Sequence, residues 1–213
     1  MVISVEKIPG IVLITPSRRA YEYVLDFIVA AASVGKFLNA YHGQPVTTFA
    51  PDNASGLHQT IEFQGQASGK TVEFLPHDGL HGVFVAGTRT VPVPYLCKPA
   101  FSSIAGASTG AVAETYEGFA QAMFTRYWEN NLAAIVAAHG KRSAGSWPSV
   151  LQFGAIVRDA MSHGGTIHMF PGIPPASHFG LTYSPSDNGK KIIHNDLSCA
   201  DIFLLLLDVD AAF

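Results

Sequence analysis

Apolar positions along the chain follow two periods. Four stretches step by three and four residues, as one face of an α-helix does. In the first, 16–41, Tyr21, Leu25, Ile28, Ala32 and Gly35 keep that spacing. Phe27, Val29, Ala30 and Ala31 carry the apolar surface around the helix, which predicts burial on most sides. Thr15 is placed to cap it, and Pro16 suits a first helical position. In the second, 111–139, Val112, Tyr116, Phe119, Met123 and Tyr127 form a stripe that Leu132, Ile135 and Val136 continue. Gly140 can end it in a left-handed cap. Tyr127 and Trp128 read as core or dimer packing. The third, 146–163, turns Val150, Phe153, Val157, Ala160 and Met161 to one side and stops where Gly164 and Gly165 follow His163. The fourth, 197–211, opens on Ser198 with Asp201 three residues on, the pattern of a capping box. Asn195 and Asp196 read as caps of the same helix. Residues 202–207 are apolar all round, which predicts a central position.

The remaining segments are short and extended. Residues 11–14 read as a strand. Residues 59–63 and 71–75 flank Gly65 and Gly69, the pattern of a hairpin. Residues 83–86 and 91–96 add two strands, and Pro92 and Pro94 restrict the latter to a sheet edge. Residues 166–170 predict a further strand. Residues 180–183 and 190–194 predict a second hairpin around Ser186-Asp187-Asn188-Gly189. The Ser-, Ala- and Gly-rich stretch 102–109 reads as a flexible joint. The expectation is a mainly α (α+β) single domain over 1–213, with a β-rich insertion at about 43–109 and a hairpin at about 166–194.

Composition narrows the classes. The chain has 213 residues, of which 48% are apolar and only 14% charged. Low hydrophobicity and high charge, the signature of disorder, are both missing. Thirteen Lys and Arg against 16 Asp and Glu leave a net charge of −3, which excludes a globally basic nucleic-acid binder but not a local patch. Cys97 and Cys199 do not make a disulfide framework, so a reduced, cytoplasmic protein is expected. Residues 1–7 lack the basic and apolar regions of a signal peptide. The longest uncharged apolar helical run, between Asp26 and Lys36, falls short of the ~20 residues of a membrane span.

The densest chemistry is Arg158-Asp159-Ala160-Met161-Ser162-His163, followed by two glycines. On a helix, Asp159 and His163 are four residues apart and lie on one face, so their side chains can hydrogen-bond and fix the imidazole tautomer. Arg158 is five residues from His163, about 140° around the helix. The two converge on one phosphate only if the helix unwinds at Gly164 or if two copies meet in a symmetric dimer. The residue types suit RNA cleavage without a metal. A histidine can take the proton of a ribose 2′-OH, and an arginine can hold two phosphate oxygens. The competing reading is structural, with surface ion pairs at Arg158 and Asp159 and His163 as a helix C-cap.

The string from Ile156 to Gly164 resembles the HEPN (higher eukaryotes and prokaryotes nucleotide-binding) family. Its signature is Arg, a polar residue, three further residues and His near a helix end; Arg158, Asp159 and His163 match it. The resemblance covers about 147–210, where 180–189 and Asn195-Asp196-Leu197 also look like bacterial proteins carrying the motif. It extends without a motif to the helices at 16–41 and 111–139. It implies an up-and-down four-helix bundle with the β segments as insertions. It also implies a metal-independent endoribonuclease with no cofactor and its site at a homodimer interface. His163 would be general base or acid, Arg158 the phosphate clamp and Asp159 the orienting residue. RNA and, in toxin or defence systems, an antitoxin-type protein are the implied partners. Members that have lost activity only bind, so a non-catalytic binding or dimerisation module stays open, as does a structural protein whose partner supplies the activity.

Other features carry less. His77 and His81 are four apart, but Pro76, Gly79 and Gly82 predict a loop and no third metal ligand is evident. His168, His178 and His194 follow the motif on the expected strands and, with Lys190 and Lys191, are candidate substrate contacts if that hairpin folds over the helix end. Lys141-Arg142 and Arg18-Arg19 are the other paired basic sites; each reads first as a solvated turn or helix end. Ser149 and Cys199 lack a nucleophile-elbow context.

Overall fold

The structure, a computed structural model, describes residues 10–41, 60–84, 86–100, 110–142 and 146–213. The stretch 102–109 and parts of the 43–109 segment lie outside the described residues. The chain is an α+β mixture that divides into two compact units, Met1–Phe63 with Thr71–Pro99, and Gln64–Lys70 with Ala100–Phe213.

The first unit joins a four-stranded sheet to two helices. Its elements are β1 (Ile11–Ile14), α1 (Tyr21–Tyr41), β2 (Ile61–Gln64), β3 (Lys70–Phe74), α2 (His77–Phe84) and β4 (Val93–Pro99). The sheet order is β1-β4-β3-β2. β1 runs antiparallel to β4, with Ile11 opposite Leu96 and Ile14 opposite Val93. α1 buries Tyr21, Val24, Leu25, Phe27 and Ile28, the face its spacing predicts. Phe27, Phe63 and Phe74 form a ring cluster with centroids 5.6–6.2 Å apart.

Three expectations fail in this unit. The helix starts at Tyr21 rather than Pro16: residues 16–20 are turns, and Thr15 Oγ1 meets Ser17 Oγ at 2.8 Å. α2 replaces the predicted loop from His77 to Gly82 and the first two residues of the strand predicted at 83–86, because burying Leu80 outweighs the poor helix propensity of Gly79 and Gly82. β4 is an interior strand, not an edge. Pro94 still contributes its carbonyl oxygen, which accepts the Leu75 N–H at 3.1 Å.

The second unit contains α3 (Ala111–His139), α4 (Ser149–Ser162), β5 (Ala176–His178), β6 (Leu181–Tyr183), a 3-10 turn at Pro185–Asp187 and α5 (Cys199–Asp210). α3, α4 and α5 pack against one another, and β5 lies on α4. α5 is buried at every position except Asp208, as its all-round apolar sequence predicts. Burial also pushes the Cys199 thiol well above its ordinary range, so it stays protonated. Ser198 and Asp201 form the expected capping box. Asp196 does not cap α5; it accepts a hydrogen bond from Tyr183 Oη at 3.0 Å and pairs with Lys190 at 2.6 Å. No helix among the described residues is long and apolar enough to cross a membrane.

The second hairpin is displaced from its predicted position. Its strands are β5 and β6, joined at Phe179 and Gly180, both at positive φ (50° and 76°). Such a pair of residues matches a primed turn, although Phe is an unusual residue there. The residues expected at its tip instead make the 3-10 turn, where Ser184 Oγ and N–H both bond Asp187 at 2.8–2.9 Å. Those bonds hold the Asp187 carboxyl below its ordinary range. The strands expected at 166–170 and 190–194 reduce to an isolated bridge between Thr166 and Lys191, and 190–194 does not pair with 181–183 as expected.

Close packing in this unit depends on Gly154. A Cβ there would lie 2.9 Å from Trp128 Cζ3 and 3.0 Å from Val209 Cγ2. Gly154→Ala gains about 1 kcal/mol of helix propensity but overpacks three helices, at about 1–3 kcal/mol. Overpacking wins: the melting temperature is expected to fall by a few degrees, about 2–4 °C per kcal/mol at this size. A rise in a thermal scan would mean that the helices separate freely.

Candidate functional site

The motif sits at the C-terminal end of α4. His163 is the C-cap residue, its N–H bonded to the Ala160 carbonyl oxygen at 2.9 Å, and Gly164 and Gly165 at φ 68° and 84° turn the chain away. The spacing between Asp159 and His163 brings them together, but not through the carboxylate. His163 Nδ1 meets the backbone carbonyl oxygen of Asp159 at 2.8 Å. A carbonyl oxygen only accepts, so Nδ1 carries the hydrogen and Nε2 presents its lone pair in the neutral ring.

Asp159 uses its carboxylate elsewhere. One oxygen accepts from Arg158 Nη1 and the other from Arg142 Nη1, each at 3.1 Å. Arg158 Nη2 also pairs with Glu129 on α3. The result is an alternating chain, Glu129–Arg158–Asp159–Arg142, partly withdrawn from water. Sequence reasoning missed Glu129 and read Arg142 first as a solvated residue, with contact to a phosphate backbone as the alternative. A carboxylate on a neighbouring helix leaves no local signal in the sequence. Among the described residues, no contact joins Arg158 to His163.

His168 is drawn to the motif. Its ring stacks on His163 with centroids 4.7 Å apart and planes at 21°, and Phe170 meets His168 edge-on at 5.3 Å. All three are exposed. The bridge between Thr166 and Lys191, with the Ile167 N–H on the Lys190 carbonyl oxygen at 2.9 Å, runs the two lysines beside the segment carrying His168.

The other candidates separate. His178 Nε2 pairs with Asp208 at 2.9 Å and lies against Phe153. His194, at positive φ, pairs with Glu117 on α3. Lys190 is held by Asp196 and covers the Tyr183 ring. Tyr183 stacks on Phe153; its burial, and then the nearby Asp196 charge, push its hydroxyl well above the ordinary range, so it stays a donor. The side chains of His77 and His81 lie outside the described residues. Among the described residues, no cluster of three His, Cys, Asp or Glu could hold a metal ion. Trp128 is core, stacked on Phe124 with centroids 6.0 Å apart.

The site thus offers an exposed imidazole pair at a helix end and, on the adjoining helix face, a neutralised arginine. No family model matches the chain, and no curated protein or solved structure does either.

Proposed function

We propose that the chain is a HEPN-like, metal-independent endoribonuclease in which His163 is the general base. One observation carries the reading: the bond from His163 Nδ1–H to the Asp159 carbonyl oxygen, which leaves Nε2 bare on an exposed residue. Nε2 takes the proton of a ribose 2′-OH. The 2′-oxygen bonds to the adjacent phosphorus while the bond from phosphorus to the 5′-oxygen breaks. The leaving oxygen takes a proton from the second imidazole, His168. The products are a 2′,3′-cyclic phosphate and a 5′-hydroxyl, with no redox change.

Arg158 lies about 140° around α4 from His163. The reading therefore assigns the phosphate clamp to Arg158 of a second copy in a homodimer, which must leave Glu129 and Asp159 to bind the phosphate, and substrate contact to Lys191. α3, α4 and α5 are, on the same reading, three helices of an up-and-down four-helix bundle. A cytoplasmic place in a toxin or defence system, with an antitoxin-type partner, belongs to the same proposal. The pairing of Arg158 also favours a second reading, a non-catalytic binding module.

The test is cleavage of a mixed labelled RNA pool in EDTA by wild type and His163→Ala. Cleavage by the wild type alone, leaving cyclic phosphate ends, supports the first reading. No cleavage by either, with binding that weakens steeply with salt, supports the second.

A further inference from the structure

The segment that follows the motif presents a strip of side chains to solvent. Burial alternates along it: Ile167 and Met169 are buried, His168 and Phe170 exposed, as in an extended chain. Lys191 lies opposite Thr166 in an antiparallel bridge. Opposite residues share a face, and Thr166 is in step with His168 and Phe170. The exposed Lys191 therefore stands on the same side. It has no ion pair among the described residues, whereas Lys190 is held by Asp196.

Phe170 is the apolar member of the strip. Its ring is 65% exposed, and no other Phe, Tyr or Trp among the described residues of the second unit is exposed. Its backbone is braced on both sides. Asn188 Oδ1 accepts the Met169 N–H at 2.6 Å, and Asn188 Nδ2 donates to the Met169 carbonyl oxygen at 2.9 Å. The Ile173 N–H donates to the Phe170 carbonyl oxygen at 3.3 Å. The Phe170 and His168 rings meet edge to face, at 5.3 Å and 86°. His168 therefore covers at most one face of the Phe170 ring. A free aromatic face on a fixed backbone is a stacking platform, and every nucleobase has a face to lay on it. Phenylalanine has no hydrogen-bonding group, so the platform reads no base edge.

We propose that Phe170 stacks an unpaired nucleobase, which makes the substrate single-stranded RNA with little base preference. The proposal rests on the ribonuclease reading. In that reading His168 protonates the leaving 5′-oxygen. Phe170 meets His168, so the stacked base belongs to the departing nucleotide, 3′ of the cut. Lys191, at the other end of the strip, is left for a phosphate on the 5′ side. A base inside a duplex is stacked on its neighbours and does not reach the ring.

The probe is a labelled single strand of 2′-deoxynucleotides of mixed sequence. It lacks the attacking hydroxyl, so it reports binding without cleavage, and its duplex is the control. The wild type is expected to bind the single strand more tightly than the duplex. Phe170→Ala and Phe170→Leu should each weaken single-strand binding about 5- to 150-fold, the effect of one stacked base. The salt slope, which counts phosphate contacts, should not change. Phe170→Trp should bind at least as tightly as the wild type. Leucine keeps the apolar bulk without the π face, so wild-type binding by Phe170→Leu overturns the proposal. Duplex binding as tight as single-strand binding, or no binding by the wild type, overturns it too. So does a Phe170→Ala chain that changes its oligomeric state but not its affinity, since the ring is then a contact between copies. RNA cleavage assayed in parallel separates the two readings. Cleavage and binding by Phe170→Leu at wild-type levels refute the platform alone. Binding that depends on Phe170, with no cleavage by the wild type, refutes the nuclease and keeps the platform.

Discussion

His163→Ala is expected to remove RNA cleavage by about 10²–10⁴-fold, the worth of a positioned general base, while the melting temperature stays within a degree or two. The two effects separate because the side chain is exposed and its hydrogen bond is to a carbonyl oxygen of the preceding turn. The helix end keeps its backbone closure, with the Gly165 N–H on the Ala160 carbonyl oxygen at 2.8 Å. His168→Ala should lose part of the rate. The double variant should lose little more than His163→Ala alone, since residues acting as one unit are not additive. Mixing His163→Ala chains with Arg158→Ala chains probes the composite site directly. Random pairing in a symmetric dimer returns about a quarter of wild-type activity, because half the dimers regain one intact site. No recovery on mixing would rule out a clamp from the second copy. Equal loss of melting temperature and activity in His163→Ala would make that residue a structural cap.

Asp201→Ala is expected to cost about 2–4 kcal/mol, read as a large fall in the urea midpoint. Asp201 is fully buried, and its carboxylate accepts from the backbone N–H groups of Gln66, Ala67 and Ser68 at 2.8–3.2 Å. It also accepts from the N–H and Oγ of Ser198 at 3.0 and 2.9 Å. Four backbone N–H groups and the Ser198 hydroxyl, which also reaches the Gln64 carbonyl oxygen at 2.7 Å, share one side chain. Alanine strands the four N–H groups, and the half-buried turn lets water replace only some. Asp201→Asn has the same shape, but its amide NH₂ faces donors, so it should cost nearly as much as alanine. An Asn variant as stable as the wild type would assign the effect to packing rather than to charge. Gly65 belongs to the same device: a Cβ there would sit 2.6 Å from Asp201 Oδ1 and 2.2 Å from Ser68 Oγ.

The sequence made the local parts of this molecule legible. α3 starts and stops where its periodicity and Gly140 indicate, and Ser198 with Asp201 announces the start of α5. Pairings distant along the chain were not readable. Nothing near Asp201 points to the turn at Gln66, and nothing near Arg158 points to Glu129. The interior position of β4 was hidden because a proline removes only its own N–H and leaves its carbonyl free to pair. The true hairpin turn was hidden by Phe179, which carries no turn signal. At the site, the pairing of Asp159 with His163 was legible as spacing. Which atom of Asp159 serves depended on the competing arginines.

The order in which the chain is made gives the Asp201 cradle a timing. Ser68 and Asp201 are 133 residues apart. At the pace of synthesis, about 5–20 residues per second, the turn at Gln64–Lys70 emerges on the order of ten seconds before its acceptor exists. Its amides are left to water in that interval. Closing so long a loop also carries an entropic cost that a local turn avoids. Completion of the second unit therefore waits for the synthesis of α5, and a chain cut short before α5 leaves that turn without its anchor.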